Sequence, residues 1–298
     1  MGSLKERTIV KSAEKIKNLI HGVRVIYTDI DGTLLGPGGC LFLTPDKEYT
    51  LQTAEAIILT RKCNLDVVMV SGRNKNQLLG DARILGFKNY IAELGCEIVY
   101  NLSEKVILNV GNFQITEGSV FNTIANSKAP EFLLKTFSNR LEYHTPWSVG
   151  QECTHLFRGY IDVTKANELL REKSFTDLKI VDNGVINQRG SLKEIPEVHA
   201  YHLLPRWSDK ASGVQKDREI RKLPKNAVIA IGDAPSDVAL SSQVGAVFIV
   251  KNALGKYSDI GRQILSQENV FLTHDEMGIG WAEVIHFLVE NKLLIRNP

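Results

Sequence analysis

The sequence predicts an α/β fold, a parallel sheet covered by helices on both faces, with an α+β module inserted into it. Three observations carry this. Short apolar runs alternate with longer stretches of helical period at both ends of the chain. The middle loses that rhythm and alternates polar with apolar residues, as half-exposed antiparallel strands do. Several apolar runs also end on polar residues, the place where an open parallel sheet binds its ligands.

The leader, residues 1–22 (MGSLKERTIVKSAEKIKNLIHG), carries Ile9, Ala13, Ile16 and Ile20 at helical spacing. It reads as an amphipathic helix docked on the core or on a second subunit, in which case the chain forms a homodimer. It is charged throughout, so it is not expected to act as a signal peptide, and no later run approaches a membrane span. After it come VRVIYTDI, TLQTAEAIILTRKC, LDVVMVSG, RNKNQLLGDARILG and NYIAEL, a strand–helix alternation that gives βαβ units. The rhythm returns in SGVQKDREIRKL, AVIAIGD, DVALSSQVG, AVFIV, YSDIGRQILSQ and EMGIGWAEVIHFLVEN. Between them, ECTHLFRGYIDV, LKIVDNGVI and VHAYHLL read as antiparallel strands, interleaved with the helical APEFLLKTFSN and KANELLREK. The expected organisation is a core of 23–110 and 206–298 split by an insert at 111–205, with hinges near Gly111 and Pro205.

Bulk properties narrow the function. A chain of 298 residues with 43% hydrophobic content buries a substantial core. The formal net charge of +2 is too small to favour nucleic acid or an anionic membrane, and a small, locally charged ligand fits better. Cys40, Cys63, Cys96 and Cys153 have neither disulfide-framework nor zinc-finger spacing, which points to a reduced, cytoplasmic protein.

The first run ends in Asp29 and Asp31, the second in Ser71-Gly72-Arg73, and a late one in Gly232-Asp233 followed by Ser236 and Asp237. A chain that turns at Gly32 can bring both early carboxylates to one crevice, where Asp29, Asp233 and Asp237 would crowd together. Like charges tolerate that only around a cation, and an all-oxygen donor set suits Mg²⁺ better than Zn²⁺.

DIDGTLL, VVMVSGRN, the lysine of DKASG and AIGDAPSD, in that order, resemble the four motifs of the haloacid dehalogenase-like superfamily of phosphotransferases. The resemblance covers nearly the whole chain. ELGCEIVY (93–100) is similar to the E-N-G-x-x-I segment of the Cof-type, C2-capped branch, which includes mannosyl-3-phosphoglycerate and sucrose-phosphate phosphatases, although Leu94 replaces the usual Asn. KNA at 251–253 and THDEMGIGWAEVIHFL resemble two further segments of that branch.

The resemblance implies a Rossmann-like HAD core with a C2-type cap, and a Mg²⁺-dependent phosphatase for a sugar phosphate or a glycosyl-phosphoglycerate-like monoester. In that scheme Asp29 attacks phosphorus and becomes an aspartyl-phosphate, which divides one difficult step into two. Asp31, kept protonated by partial desolvation, donates to the leaving alkoxide and then accepts a proton from water. Gly32 turns the chain and Thr33 tethers it. Ser71, the Gly72 N–H and Lys210 bind the phosphoryl oxygens. The metal is held by Asp29, the Asp31 carbonyl and Asp233, with Asp237 direct or through water; Ser236 replaces the Asn usual before that last aspartate.

In the cap, Glu152, His155 and Arg158 lie on one strand candidate, and His199, His202 and Arg206 on or after another. Such side chains could bind sugar hydroxyls, and Arg158 or Arg206 a carboxylate or second phosphate, but half-exposed strands carry such residues routinely. Trp147 and Trp207 either stack on substrate or fill the cap and hinge. Two alternatives stand beside the phosphatase: a sugar phosphomutase of the same superfamily, and a non-catalytic sugar-phosphate sensor.

Overall fold

The computed structural model describes residues 3–186 and 190–295; the expected ranges beginning at residue 1, ending at 298 and crossing 187–189 extend outside the described residues there. The strands are β1 (Val25–Thr28), β2 (Asp66–Val70), β3 (Asn89–Ala92), β4 (Glu97–Tyr100), β5 (Lys105–Leu108), β6 (Leu141–Tyr143), β7 (His155–Gly159), β8 (Leu178–Ile186), β9 (Val198–Pro205), β10 (Val228–Gly232), β11 (Ala246–Ile249) and β12 (Val270–Leu272).

They form two sheets: an eight-stranded one in the order β12-β11-β10-β1-β2-β3-β4-β5, and a four-stranded one in the order β6-β7-β9-β8. The large sheet is parallel from β12 to β3, and β4 and β5 extend it antiparallel. That hairpin qualifies the expected parallel sheet. Its β5 is largely exposed, so it lacks the continuous apolar run of a doubly covered strand.

Alternate residues of the central strands feed two separate cores, because successive side chains point to opposite faces. Ile26, Val67, Met69, Ile229 and Ile231 pack on one side. Val25, Tyr27, Val68, Val70, Val228 and Ala230 pack on the other. Each such buried aliphatic side chain contributes about 1.5–3 kcal/mol.

The chain leaves β1 toward β2 and β3 on one side and returns with β10, β11 and β12 on the other. This makes β1/β10 the switch point, where an open α/β sheet leaves a crevice at its carboxyl edge.

The leader differs from a single helix. It is a short turn at Leu4–Arg7, a one-residue bridge from Thr8 to Leu272, and a helix of only Ala13–Leu19. Ile9, Ile16 and Ile20 are buried in the main core. The bridge has a simple cause: β12 is the edge strand, and its Leu272 carbonyl accepts from the Ile9 N–H instead of being left unpaired.

The small sheet is antiparallel throughout, with Leu156 opposite His202 and Val181 opposite His202 on the other side. Its register shifts between Asp182 and Val185, where Asn183 and Gly184 form a bulge. Helices Val120–Asn126, Ala129–Thr136 and Val163–Glu172 accompany this sheet, and a third core holds Val120, Leu133, Phe157, Leu170 and Tyr201 together with Leu94 and Cys96 from the end of β3.

Candidate active site

Three adjacent strands, β10, β1 and β2, end on Asp233, Asp29 and Ser71, so residues far apart in sequence become neighbours at one edge. Asp29, Asp233 and Asp237 are buried, and one carboxylate oxygen of each lies within 4.8 Å of the others. Asp237 is fixed from below, its Oδ2 accepting from the Asp233 and Ala234 N–H groups, both at 3.1 Å. Gly32 has φ +82°, and a Cβ there would stand 2.6 Å from Asp233 Oδ2, so conformation and space both call for glycine.

Lys210 starts the helix Lys210–Ile220, which Asp209 caps, and its side chain is 4% exposed. Its Nζ donates to Asp29 Oδ1 at 2.6 Å and Asp237 Oδ1 at 2.8 Å. Burial alone would depress this ammonium, but Asp237 and Asp29 hold it well above the ordinary lysine range. Lys256 donates to Asp233 Oδ2 at 3.0 Å, and Thr33 Oγ1 to Asp29 Oδ2 at 3.4 Å.

Three carboxylates face two ammonium groups here, leaving net negative charge in a buried place. Burial pushes the Asp29 carboxyl up to about 7, with Lys210 opposing the shift and Asp237 and Asp233 adding to it. An oxygen-only, crowded and under-neutralised donor set fits Mg²⁺ chemically.

Asp31 is placed differently from the partly desolvated acid expected of it. Its side chain is 59% exposed and accepts from Arg73 Nε at 3.0 Å and Arg73 Nη2 at 2.6 Å, while Arg73 Nη1 donates to Asp81 at 2.7 Å. The physical reason is the position just outside β1, where the side chain points to the cleft mouth and not into the sheet edge. Ser71 is buried, and its Oγ accepts from the Arg73 N–H at 3.2 Å.

A cleft of about 650 Å³ opens above these residues. Its floor holds Asp29, Asp31, Ser71, Gly72, Arg73, Lys210, Asp233 and Lys256, and the Gly36–Gly39 turn forms one rim. The opposite wall comes from the small sheet and its β6–β7 connection: His144, Trp147, Leu156, Asn183, Ala200 and His202. The two walls nearly touch at Gly72, where a Cβ would meet Asn183 Nδ2 at 2.6 Å and His202 Nε2 at 2.9 Å.

Of the six residues of the insert expected near substrate, His202 lines this cleft and the others do not; His199 pairs with Asp182 at 2.7 Å. His155 bonds Tyr143 OH and the Phe121 carbonyl, both at 3.0 Å, and stacks on Phe121. Arg158 pairs with Glu142 at 2.6 Å, Arg206 donates to the Thr176 carbonyl and lies over Trp207, and Glu152 pairs with Lys75 at 2.5 Å. For His155, Arg158 and Glu152 the cause is the same: a neighbouring strand or helix supplies a partner that the sequence order does not reveal.

The sequence reading missed Lys256, Asn183 and Glu93. Asn183 had a signal, since Asp-Asn-Gly inside a strand pattern marks a bulge, and a bulge re-aims a side chain. Glu93 is fully buried and joins the two sheets. Its Oε1 accepts from the Glu152 N–H at 2.7 Å, and its Oε2 from those of Cys153 at 2.9 Å and Thr154 at 2.7 Å. Burial nevertheless pushes its carboxyl up to about 7.

A model of the haloacid dehalogenase-like hydrolase family matches residues 26–269. The chain belongs to that family. Among curated proteins, it is similar to phosphoglycolate phosphatase 1 of Saccharolobus solfataricus, 26% identical over 83% of this chain and 91% of that one. The phosphoglycolate phosphatase of Sulfolobus acidocaldarius is 24% identical over 83% and 92%. The sucrose-phosphatase of Synechocystis, solved with sucrose and phosphate, shares the fold at TM-score 0.57 and 15% identity, over 89% of this chain and 98% of that one. A haloalkanoate-superfamily phosphatase from Bacteroides thetaiotaomicron does so at TM-score 0.60 and 16% identity, over 92% and 97%. No helix among the described residues of this hydrolase is long and apolar enough to cross a membrane.

Proposed function

We propose that this haloacid dehalogenase-like phosphatase is a Mg²⁺-dependent hydrolase of a sugar phosphate or a glycosyl-phosphoglycerate-like monoester, working through an aspartyl-phosphate on Asp29. The observation that carries the reading is Asp29 itself: a buried carboxylate at the switch point, with Oδ1 fixed by Lys210 and Oδ2 by Thr33. A nucleophile needs such orientation.

Asp29 attacks phosphorus as the ester P–O bond breaks, and the leaving oxygen takes a proton from Asp31. Water then attacks phosphorus, Asp31 accepts its proton, and the Asp29–phosphorus bond breaks to give phosphate. The proton taken from water leaves Asp31 ready for the next turnover, and Arg73 holds its side chain at the cleft wall. Ser71, the Gly72 N–H and Lys210 supply the fixed donors that the transition-state oxygens need. Mg²⁺, held by Asp29, Asp233, Asp237 and the Asp31 carbonyl, would add the largest positive charge against those oxygens. We take 111–205 as the cap that shuts out water and 23–110 with 206–298 as the catalytic core.

The names of the curated relatives favour phosphoglycolate as a second reading. Its carboxylate calls for a cation, and those lining the cleft among the described residues, Arg73, Lys210 and Lys256, are each already paired with aspartates. The decisive assay compares phosphate release from sugar phosphates, glycosyl-phosphoglycerates and phosphoglycolate, with Mg²⁺ or EDTA. Metal-dependent phosphate from sugar phosphates is expected. An isomeric sugar phosphate as product would replace the phosphatase with a mutase, and tight binding without turnover would leave a sensor.

A further inference from the structure

The cap wall carries two imidazoles that no catalytic step above uses, and one is held by a directional relay. Gln151 Nε2 donates to the Trp147 carbonyl at 3.4 Å, which fixes the amide so that its Oε1 faces Thr154. The Thr154 hydroxyl donates to that Oε1 at 3.2 Å. Thr154 Oγ1 has spent its one proton there, so toward His202 Nδ1, 3.1 Å away, it can only accept. The proton of a neutral His202 ring therefore sits on Nδ1, and Nε2 carries a bare lone pair.

Burial favours the neutral ring, and its surroundings show where it faces. Burial holds His202 down to about 3, with His144 adding to the shift, and burial also holds His144 down to about 4. Nε2 makes no hydrogen bond among the described residues and stands next to Gly72, beside Asn183 Nδ2. The relay rests on a firm base, because Glu93 binds the Thr154 N–H while its own N–H donates to the Arg73 carbonyl at 3.0 Å. The Leu94 N–H donates to the Ser71 carbonyl at 3.0 Å, so the phosphate-binding loop and the imidazole share one scaffold.

We propose that His202, with its proton fixed on Nδ1, presents Nε2 as a hydrogen-bond acceptor to a hydroxyl of the leaving alcohol, and so selects hydroxylated esters over those lacking that donor. The proposal rests on the phosphatase reading. It adds the polarity of one subsite: Asn183 Nδ2 donates and His202 Nε2 accepts, a pair that matches a hydroxyl, which can do both. A buried acceptor that finds no donor is penalised, which turns one bond into discrimination.

Two measurements test it. Ring ¹⁵N NMR of His202 in the full chain reads the tautomer without any turnover: Nδ1–H is expected, Thr154→Val should release the preference, and Nε2–H in the native protein overturns the proposal. The second is the ratio of kcat/KM for the best sugar phosphate to that for p-nitrophenyl phosphate, whose leaving group has no hydroxyl to donate. His202→Asn keeps a donor for Thr154 but loses Nε2, and should lower this ratio about tenfold, the worth of one neutral hydrogen bond; His202→Gln, which reaches further, should restore part of it. An unchanged ratio overturns the acceptor role. If no ester is hydrolysed at all, the phosphatase reading fails, and the NMR result still decides the tautomer.

Discussion

The two walls of the cleft are built on opposite principles. The core wall crowds Asp29, Asp233, Asp237, Lys210 and Lys256 into a buried electrostatic knot, while the wall from the small sheet and its β6–β7 connection offers neutral groups: His144, His202, Asn183 and Trp147. Each wall suits a different task. Phosphoryl transfer needs fixed charge against developing charge, and a leaving alcohol needs shape and hydrogen bonds. Glu93 belongs to neither wall but ties them together, so its loss should blur the division and leave each wall's chemistry in place.

The largest effect is expected at Lys210. Lys210→Met strips the buried cation from Asp29 and Asp237, and removing one partner of a buried pair costs about 3–5 kcal/mol. Thermal unfolding should show that loss in EDTA and a smaller one with Mg²⁺, and phosphate release should fall about a thousandfold. Equal destabilisation in both conditions would separate the lysine from the metal site.

Glu93→Gln comes next, because its amide turns a donor toward backbone donors that had a carboxylate. A loss of about 1–3 kcal/mol is expected in urea unfolding, with KM rising more than kcat falls. A change in kcat alone would place Glu93 in the chemistry instead of the joint.

Glu93 also makes stability depend on pH. Its carboxyl lies near 7 when folded against an ordinary value of 4.5, so the folded chain holds the proton more tightly in that window. The stabilisation is complete below about 4.5 and is lost as pH rises through about 7. Subtracting the stability profile of Glu93→Gln from that of the native chain should leave a curve that falls across this window and then levels off. A flat difference contradicts the assignment.

The smallest effect belongs to Arg73→Lys. A single ammonium cannot reach Asp31 and Asp81 with the same fork, but the Asp31 side chain is 59% exposed, so stability should change by about 0–1 kcal/mol. Turnover should fall about tenfold as Asp31 loses its fixed place, measured as kcat with KM little changed.

How much of this was legible in the sequence follows the same division. The core wall is written locally: each aspartate or serine stands next to the apolar run that positions it, and parallel strands deliver their ends to a common edge. The wall from the small sheet is not, because antiparallel pairing brings Leu156 opposite His202 and a bulge turns Asn183, neither of which is a matter of local spacing. His155 and Arg158 looked like equals of His202 in the sequence, yet their partners, Phe121, Tyr143 and Glu142, come from other elements.

Leu94 shows a third case. It adopts φ +55°, a conformation in which Asn is at ease and Leu is strained, but here its side chain is buried in the third core with Cys96 and Phe157. Apolar burial offsets the backbone cost, which explains the departure from the motif. The Ser236 substitution has no comparable account in the structure.

The most direct test of the central claim is phosphate release by the native chain and by Asp29→Asn, each with Mg²⁺ and with EDTA. The account predicts metal-dependent release in the native chain and a loss of at least about a thousandfold in Asp29→Asn, an isosteric change that leaves the fold intact by circular dichroism. Substantial release by Asp29→Asn would show that another group attacks phosphorus and would contradict the account.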